Sequence, residues 1–370
     1  MKKRVFIISL IVLQFSHLLS FSQSFDIPTK GAGISFGNSA KFTGLRFNFS
    51  DHNIEKINGV NVTIWAPKEE TFLGKTSGIL VGLPLTGGGE VRGISIGGGV
   101  MASQSMHGIS IGIVGAGAGG NMAGINVGGI GLGTGGSLSG INIGGVGLGS
   151  GGNMSGINIG GIGTGSGGNL SGFNVGGIGL GSGGDMVGIN LAGLGMGAGG
   201  SLKGISFAGI GLGSSSDIVG IQAALVGLGA GENLKGLSVA GIGLGSGNTL
   251  AGIQVAGVGL GAGNTVSGIQ IAGVGIGAPE IKGLSVALVV GGGEITGITV
   301  APAYLQIEED GHYTGLAVSS CTISKGTFTG VGIGIFNYTR SLKGIQFGLL
   351  NYVKDNPKSL RLLPIFNASF

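Results

Sequence analysis

Gly-Ile-Asn-Ile-Gly-Gly-Val-Gly-Leu-Gly-Ser-Gly-Gly-Asn-Met-Ser runs from Gly140 to Ser155, and a near-copy begins at Gly156. The opening glycine recurs at 108, 124, 140, 156, 172, 188, 204, 220, 236, 252 and 268, a fixed period of 16. A repeat this strict predicts an arrayed architecture in which each unit buries its apolar residues only against its neighbours.

Within a unit the alternation Ile141, Asn142, Ile143 is a strand signal, and Val146, Gly147, Leu148 is another. The apolar positions change parity at Gly144-Gly145. A bend there is expected to turn Ile141, Ile143, Val146 and Leu148 all inward, and Met154 is expected to point back to the core after the turn Ser150–Ser155. Each unit is thus predicted to supply two short strands and a turn. A helix is excluded, because several glycines per unit would each cost about 1 kcal/mol relative to alanine.

These units predict an all-β fold, a repeat β-solenoid of 16-residue coils, with an outer-membrane β-barrel as the alternative. About twenty stacked coils at about 4.8 Å each would form one elongated domain. Stacking aligns Ile125, Ile141, Ile157, Phe173, Ile189 and Ile205 in one apolar column and Val127, Ile143, Ile159, Val175, Leu191 and Phe207 in a second. Met122, Leu138, Met154, Leu170, Met186 and Leu202 form a third. Asn126, Asn142, Asn158, Asn174 and Asn190, continued by Gln222, Gln254 and Gln270, form a polar column whose amides can bond from coil to coil. On this reading Ile157→Asp destabilises the array far more than Asn158→Ser.

Composition fits. Ninety of 370 residues are glycine and 7 are proline, which excludes collagen, and 42% are hydrophobic and placed in register, which excludes simple disorder. A net charge of +4 carried mostly by the two ends gives no nucleic-acid surface. Residues 1–22 have the form of a signal peptide. Lys2, Lys3 and Arg4 precede the apolar run Val5–Leu13, and small residues near Ser20, Ser22 and Ser24 offer a cleavage site. Cys321 is the only cysteine, so no intrachain disulfide is expected.

Residues 23–107 are a divergent version of the repeat, with openings at Gly44, Gly59, Gly78 and Gly93, and bulky residues suited to an end cap. Residues 108–282 are the regular array. Residues 283–370 drift again, with openings at Gly283, Gly297, Gly315, Gly330 and Gly344, and aromatic residues return.

Gly344-Ile345-Gln346-Phe347-Gly348-Leu349-Leu350-Asn351-Tyr352, the Gly-Ile-Asn-Ile-Gly-Gly-Ile-Gly units and the closing Leu-Leu-Pro-Ile-Phe-Asn resemble an uncharacterised bacterial family of glycine-rich surface-repeat proteins. The resemblance implies export to the cell envelope of a Gram-negative bacterium. It carries no catalytic residues.

Chemical motifs are weak. Ser95 and Ser110 each sit in Gly-x-Ser-x-Gly, but both occupy the third position of a repeat unit, where asparagine and glutamine also stand. The four histidines, His17, His52, His107 and His312, are scattered. Gly147–Gly152 matches Gly-x-Gly-x-x-Gly without the helix that would hold a pyrophosphate. Calcium-binding coils need an aspartate in each unit, whereas Gly108–Pro279 has only Asp185, Asp217 and Glu232 as acids. The carboxylate groups Glu69-Glu70 and Glu308, Glu309, Asp310 read as solvated loops.

The sequence therefore predicts an exported, non-enzymatic cell-surface repeat protein with a structural or interaction role and no cofactor or metal. The alternative is a barrel of the pore or transport class, favoured by the absence of Lys, Arg, Asp and Glu from Gly93 to Gly184. Barrels need strict alternation and aromatic girdles, which the regular units lack. Expected partners are a second copy or an envelope component, with membrane association open and nucleic acid excluded. The candidate recognition residues are Trp65, Tyr304, Tyr338 and Tyr352, with capping of the coil ends as their rival role.

Overall fold

The computed structural model describes residues 24–65 and 73–370. The signal segment 1–22 and the Glu69-Glu70 loop lie outside the described residues. The chain winds as a β-solenoid of about 19 coils, almost entirely strand, with turns about 16 residues apart. It divides into two compact units, Met1–Gly168 and Asn169–Phe370.

In the first unit Leu138–Gly144 pairs in parallel with Met122–Gly128 on one side and Met154–Gly160 on the other, with Asn142 level with Asn126 and Asn158. The short strands Gly131–Thr134, Gly147–Ser150 and Gly163–Ser166 stack in the same way. The second unit repeats the arrangement from Leu170–Gly176 to Glu280–Val286, each long strand parallel to the next and in register. Parallel in-register ladders exclude the barrel alternative, whose neighbouring strands run antiparallel.

The opening glycine is what the 16-residue period counts. Gly140 and Gly156 have φ of +107° and +103°, which side chains with a Cβ rarely adopt. A Cβ on Gly156 would also overlap the Gly140 carbonyl oxygen in the coil before it. Both the backbone conformation and the closeness of adjacent coils require glycine at this position.

The two faces of the long strand differ from the expectation. Asn142 and Asn158 are fully buried, whereas Ile141 is 38% and Ile157 40% exposed. Val146 also points out, and Ile143 and Ile159 are half-buried on the outer face. The predicted apolar columns beginning at Ile125 and Val127 are therefore the outside of the coil. The core is built from the Met122–Leu138–Met154 column, the Leu132–Leu148 column and the asparagines. The physical reason lies in the corner. Gly144 is inside, Gly145 and Val146 swing outward, and Leu148 returns inside, so the inward positions 138, 142, 144, 148 and 150 keep one parity throughout. The predicted parity break is a corner that turns outward.

Buried amides need partners, and stacking supplies them. The Asn126 amide donates to the Asn142 Oδ1 at 2.9 Å, and Asn142 donates to Asn158 at 2.8 Å. In the second unit Asn174 donates to Asn190 at 2.8 Å, and Asn190 donates to the Ser206 hydroxyl at 3.2 Å. The asparagine stretch is thus an inner hydrogen-bonded ladder. Beyond it the column departs from the expectation, with Gln222 donating to the Gly204 carbonyl and Gln254 to the Ala251 carbonyl instead of to the next amide. A second ladder runs through the turns. The Asn121 Oδ1 accepts from the Ser137 N–H, and the Asp185 Oδ1 accepts from the Ser201 N–H, both at 2.8 Å.

Reversed strands close the stack. Phe25–Thr29 lies antiparallel to Ala32–Phe36, which then starts the parallel pairing with Lys41–Ser50. In the second unit Leu362–Ser369 runs antiparallel to Phe336–Val353. Such strands cover an edge that would otherwise pair with another chain.

The first coils hold a buried ionic network beside the apolar cluster of Phe42, Ile54 and Ile57. Arg46 and Asp51 have no exposed side-chain surface and pair at 2.5 Å. Arg46 also donates to Asn61 and Asn38, both at 2.8 Å, and Asp51 accepts from Asn48 at 2.9 Å and Thr63 at 2.7 Å. Arg46→Met is expected to cost about 3–5 kcal/mol in urea unfolding, because Asp51 is left buried without its cation. Adding Asp51→Leu should recover part of that loss.

Candidate interaction surface

The outward side chains form columns because each long strand sits in register on the next. In the second unit one column is Ile189, Ile205, Ile221, Leu237, Ile253 and Ile269, every member more than a third exposed. Beside it run Leu191, Phe207, Ala223, Val239, Val255 and Ile271. At the glycine corner a third column carries Leu194, Ile210, Val226, Ile242, Val258 and Val274, all exposed. The first unit shows the same pattern, with Ile125, Ile141 and Ile157 on the strand and Ile130, Val146 and Ile162 at the corner. Ordinary soluble monomers rarely expose apolar patches beyond roughly 300–600 Å². Regular columns repeated over many coils form a surface of a different kind.

The short strands contribute almost no side chain outward. Their outward positions, such as Gly227 and Gly229 or Gly243 and Gly245, are glycine, and a Cβ on Gly229 or Gly245 would meet nothing within 4 Å. Glycine here is not demanded by packing, unlike at the openings of the coils.

Of the four aromatic residues expected to recognise a partner, Trp65 is exposed in the first unit, at the end of the strand Lys56–Trp65. In the second unit Tyr338 and Tyr352 stack on one another, ring centres 5.4 Å apart and nearly parallel. Beneath them the Asn337 amide donates to the Asn351 Oδ1 at 2.8 Å, in a column separate from the inner ladder, which passes through Gly332 and Gln346 in these coils. Tyr304 is half-buried. Burial, and then the nearby Cys321 thiol, raise its phenol above the ordinary value. The structure thus brings Tyr338 and Tyr352 together.

Ser95 and Ser110 are buried and point to the inner column, where a substrate has no access. Asp185 and Asp217 are spent on the turn ladder, accepting from Ser201 and Asn233. No helix among the described residues is long and apolar enough to cross a membrane, which says nothing of strands. No group of three or more His, Cys, Asp or Glu side chains among the described residues is placed to hold a metal. An open groove of about 650 Å³ is lined in the first unit by Pro84, Leu85, Met101, Val114 and neighbouring glycines.

Another aromatic residue of the drifted coils belongs to the core. Tyr313 is fully buried, stacks on Phe328 at 4.6 Å, and donates from its hydroxyl to the Leu316 carbonyl at 2.6 Å. Burial pushes its phenol up to about 12. A phenol raised in the fold favours the neutral form, so its contribution is full below its unfolded value of about 10 and is lost as pH rises through about 12. Tyr313→Phe is expected to flatten the fall in melting temperature over that window, while costing about 1 kcal/mol at neutral pH for the lost hydrogen bond.

Compared with known proteins, the chain matches no family model, no curated sequence and no solved structure. The functional reading therefore rests on the surface itself.

Proposed function

We propose that this chain is an exported, non-enzymatic structural or interaction element of the cell surface that works through the outer face of its solenoid. The observation that carries the reading is the outward display of three apolar columns while the core is closed with Met, Leu and an asparagine ladder. A fold needing only a solvated exterior would place lysine or glutamate at such positions, as ordinary surfaces do. The basic and apolar start of the chain supports export, as does its resemblance to bacterial glycine-rich surface-repeat proteins. The inward aim of Ser95 and Ser110 supports a role without hydrolysis.

The test is surface exposure in the native cell. A tag inserted at the exposed turn Gly151–Asn153 should be reached by antibody on intact cells and be removed by external protease. A tag protected until the envelope is broken, or a hydrolase activity lost with Ser95→Ala or Ser110→Ala, would reject the reading.

A further inference from the structure

We propose that the long-strand face of the second unit is a self-association surface, and that its occupant is the same face of a second copy of this chain. The proposal rests on the interaction reading above and gives it a partner. Seven consecutive long strands, from Met186–Ala192 to Glu280–Val286, build this face. Two columns cover its centre, Ile189 to Ile269 and Leu191 to Ile271.

Size is the first reason for a second copy. Seven strands at about 4.8 Å and seven residues at about 3.3 Å give a face of roughly 34 by 23 Å, or about 780 Å². That meets the roughly 800 Å² per partner of a stable complex.

Spacing is the second. The side chains stand in rows one strand apart, set by the parallel register of each coil on the next. A partner that meets every row must carry the same strand spacing over the same length, and a second copy does. Two sheets of equal period can pack dry, face to face, about 10 Å apart.

Charge is the third, and it sets the orientation. Lys203, Lys235 and Lys282 are exposed along one edge of this face, one residue before the opening glycine of their coils. A two-fold axis parallel to the stacking direction lays the lysine edge of one copy against the opposite, uncharged edge of the other. A two-fold axis along the strands would bring both lysine edges to the same side, where like charges repel. The favoured pair therefore has its coils stacked in the same direction, with the Ile221 column over the Ala223 column of the partner. A bilayer fits less well. It has no strand period to match the rows, and it would bury the three lysines.

Sedimentation velocity on the full mature chain, without detergent, from about 1 to 100 µM tests the proposal. We expect a monomer–dimer equilibrium in this range. Ile221→Lys with Ile253→Lys should weaken it at least tenfold, with melting temperature nearly unchanged because both side chains point outward. Val226→Lys with Val258→Lys, on the corner column, should leave the dimer intact. In a Cys321→Ser background, chains carrying Ile221→Cys and chains carrying Ala223→Cys should form a mixed disulfide. Four results would overturn the proposal: a monomer at about 100 µM, a dimer indifferent to the Ile221 and Ile253 changes, a dimer lost through the corner column instead, or a monomer that floats with phosphatidylcholine vesicles. Surface exposure on cells is scored separately, so a monomeric but surface-exposed chain would sink this inference and leave the proposed function standing.

Discussion

Leu234→Asp is expected to collapse the second unit, whereas Leu237→Asp, three residues further along the same strand, should cost under about 1 kcal/mol. The two positions share residue type and strand. Leu234 has no exposed surface and stands in the inner column between Ile218 and Leu250. A carboxylate there has neither water nor a cation, so it must be protonated at a high cost or drive the coil open, with a loss above about 4 kcal/mol. Leu237 is 39% exposed, and a carboxylate there reaches solvent. Thermal melts at low protein concentration, where the second copy is absent, check the pair. Equal losses would show that the inner and outer faces are assigned wrongly.

Gly220→Ala should be nearly as damaging, and Gly229→Ala harmless. Gly220 has φ of +124°, and a Cβ there would overlap the Gly204 carbonyl oxygen of the preceding coil. Conformational strain alone costs about 1–3 kcal/mol, and the overlap forces adjacent coils apart. Gly229 has no such φ and open space around it. Alanine there should gain about 0.5–1 kcal/mol by restricting the unfolded chain. Urea unfolding of the two variants gives the comparison, and a loss at Gly229 equal to that at Gly220 would remove the distinction between the two classes of glycine.

The period of 16 made the coil legible, and two strands and a turn per unit followed from it. The polar column was legible too, because amides at equal spacing can pair only if the units stack in register. What misled was the assumption that isoleucine marks the inside. Ile141 and Asn142 alternate, and alternation assigns two faces without saying which is wet. The hydrogen-bonded ladder decides it: Asn142 is satisfied by Asn126 and Asn158, so its hydrogen bonds offset the cost of taking it out of water. Leu138 and Leu148 share the parity of Asn142, and that common parity was the available signal. Tyr313 stands two residues before the opening Gly315, as Leu138 stands before Gly140, so its place in the Met and Leu column was legible once the coils were counted from their glycines. The aromatic candidates were legible as a group, whereas the pairing of Tyr338 with Tyr352 depends on coil register that the uneven spacing hides.

The central claim is that successive units lie parallel and in register, with the corner column facing solvent. Ile242 stacks directly on Val226, its N–H donating to the Val226 carbonyl at 2.9 Å. Nitroxides placed through Val226→Cys and Ile242→Cys in a Cys321→Ser background measure this spacing by electron paramagnetic resonance. The solenoid predicts full labelling of both sites and a strongly broadened spectrum, with labels on strands about 4.8 Å apart, while each single label gives a narrow one. A doubly labelled chain whose spectrum is the sum of the two single-label spectra would contradict it.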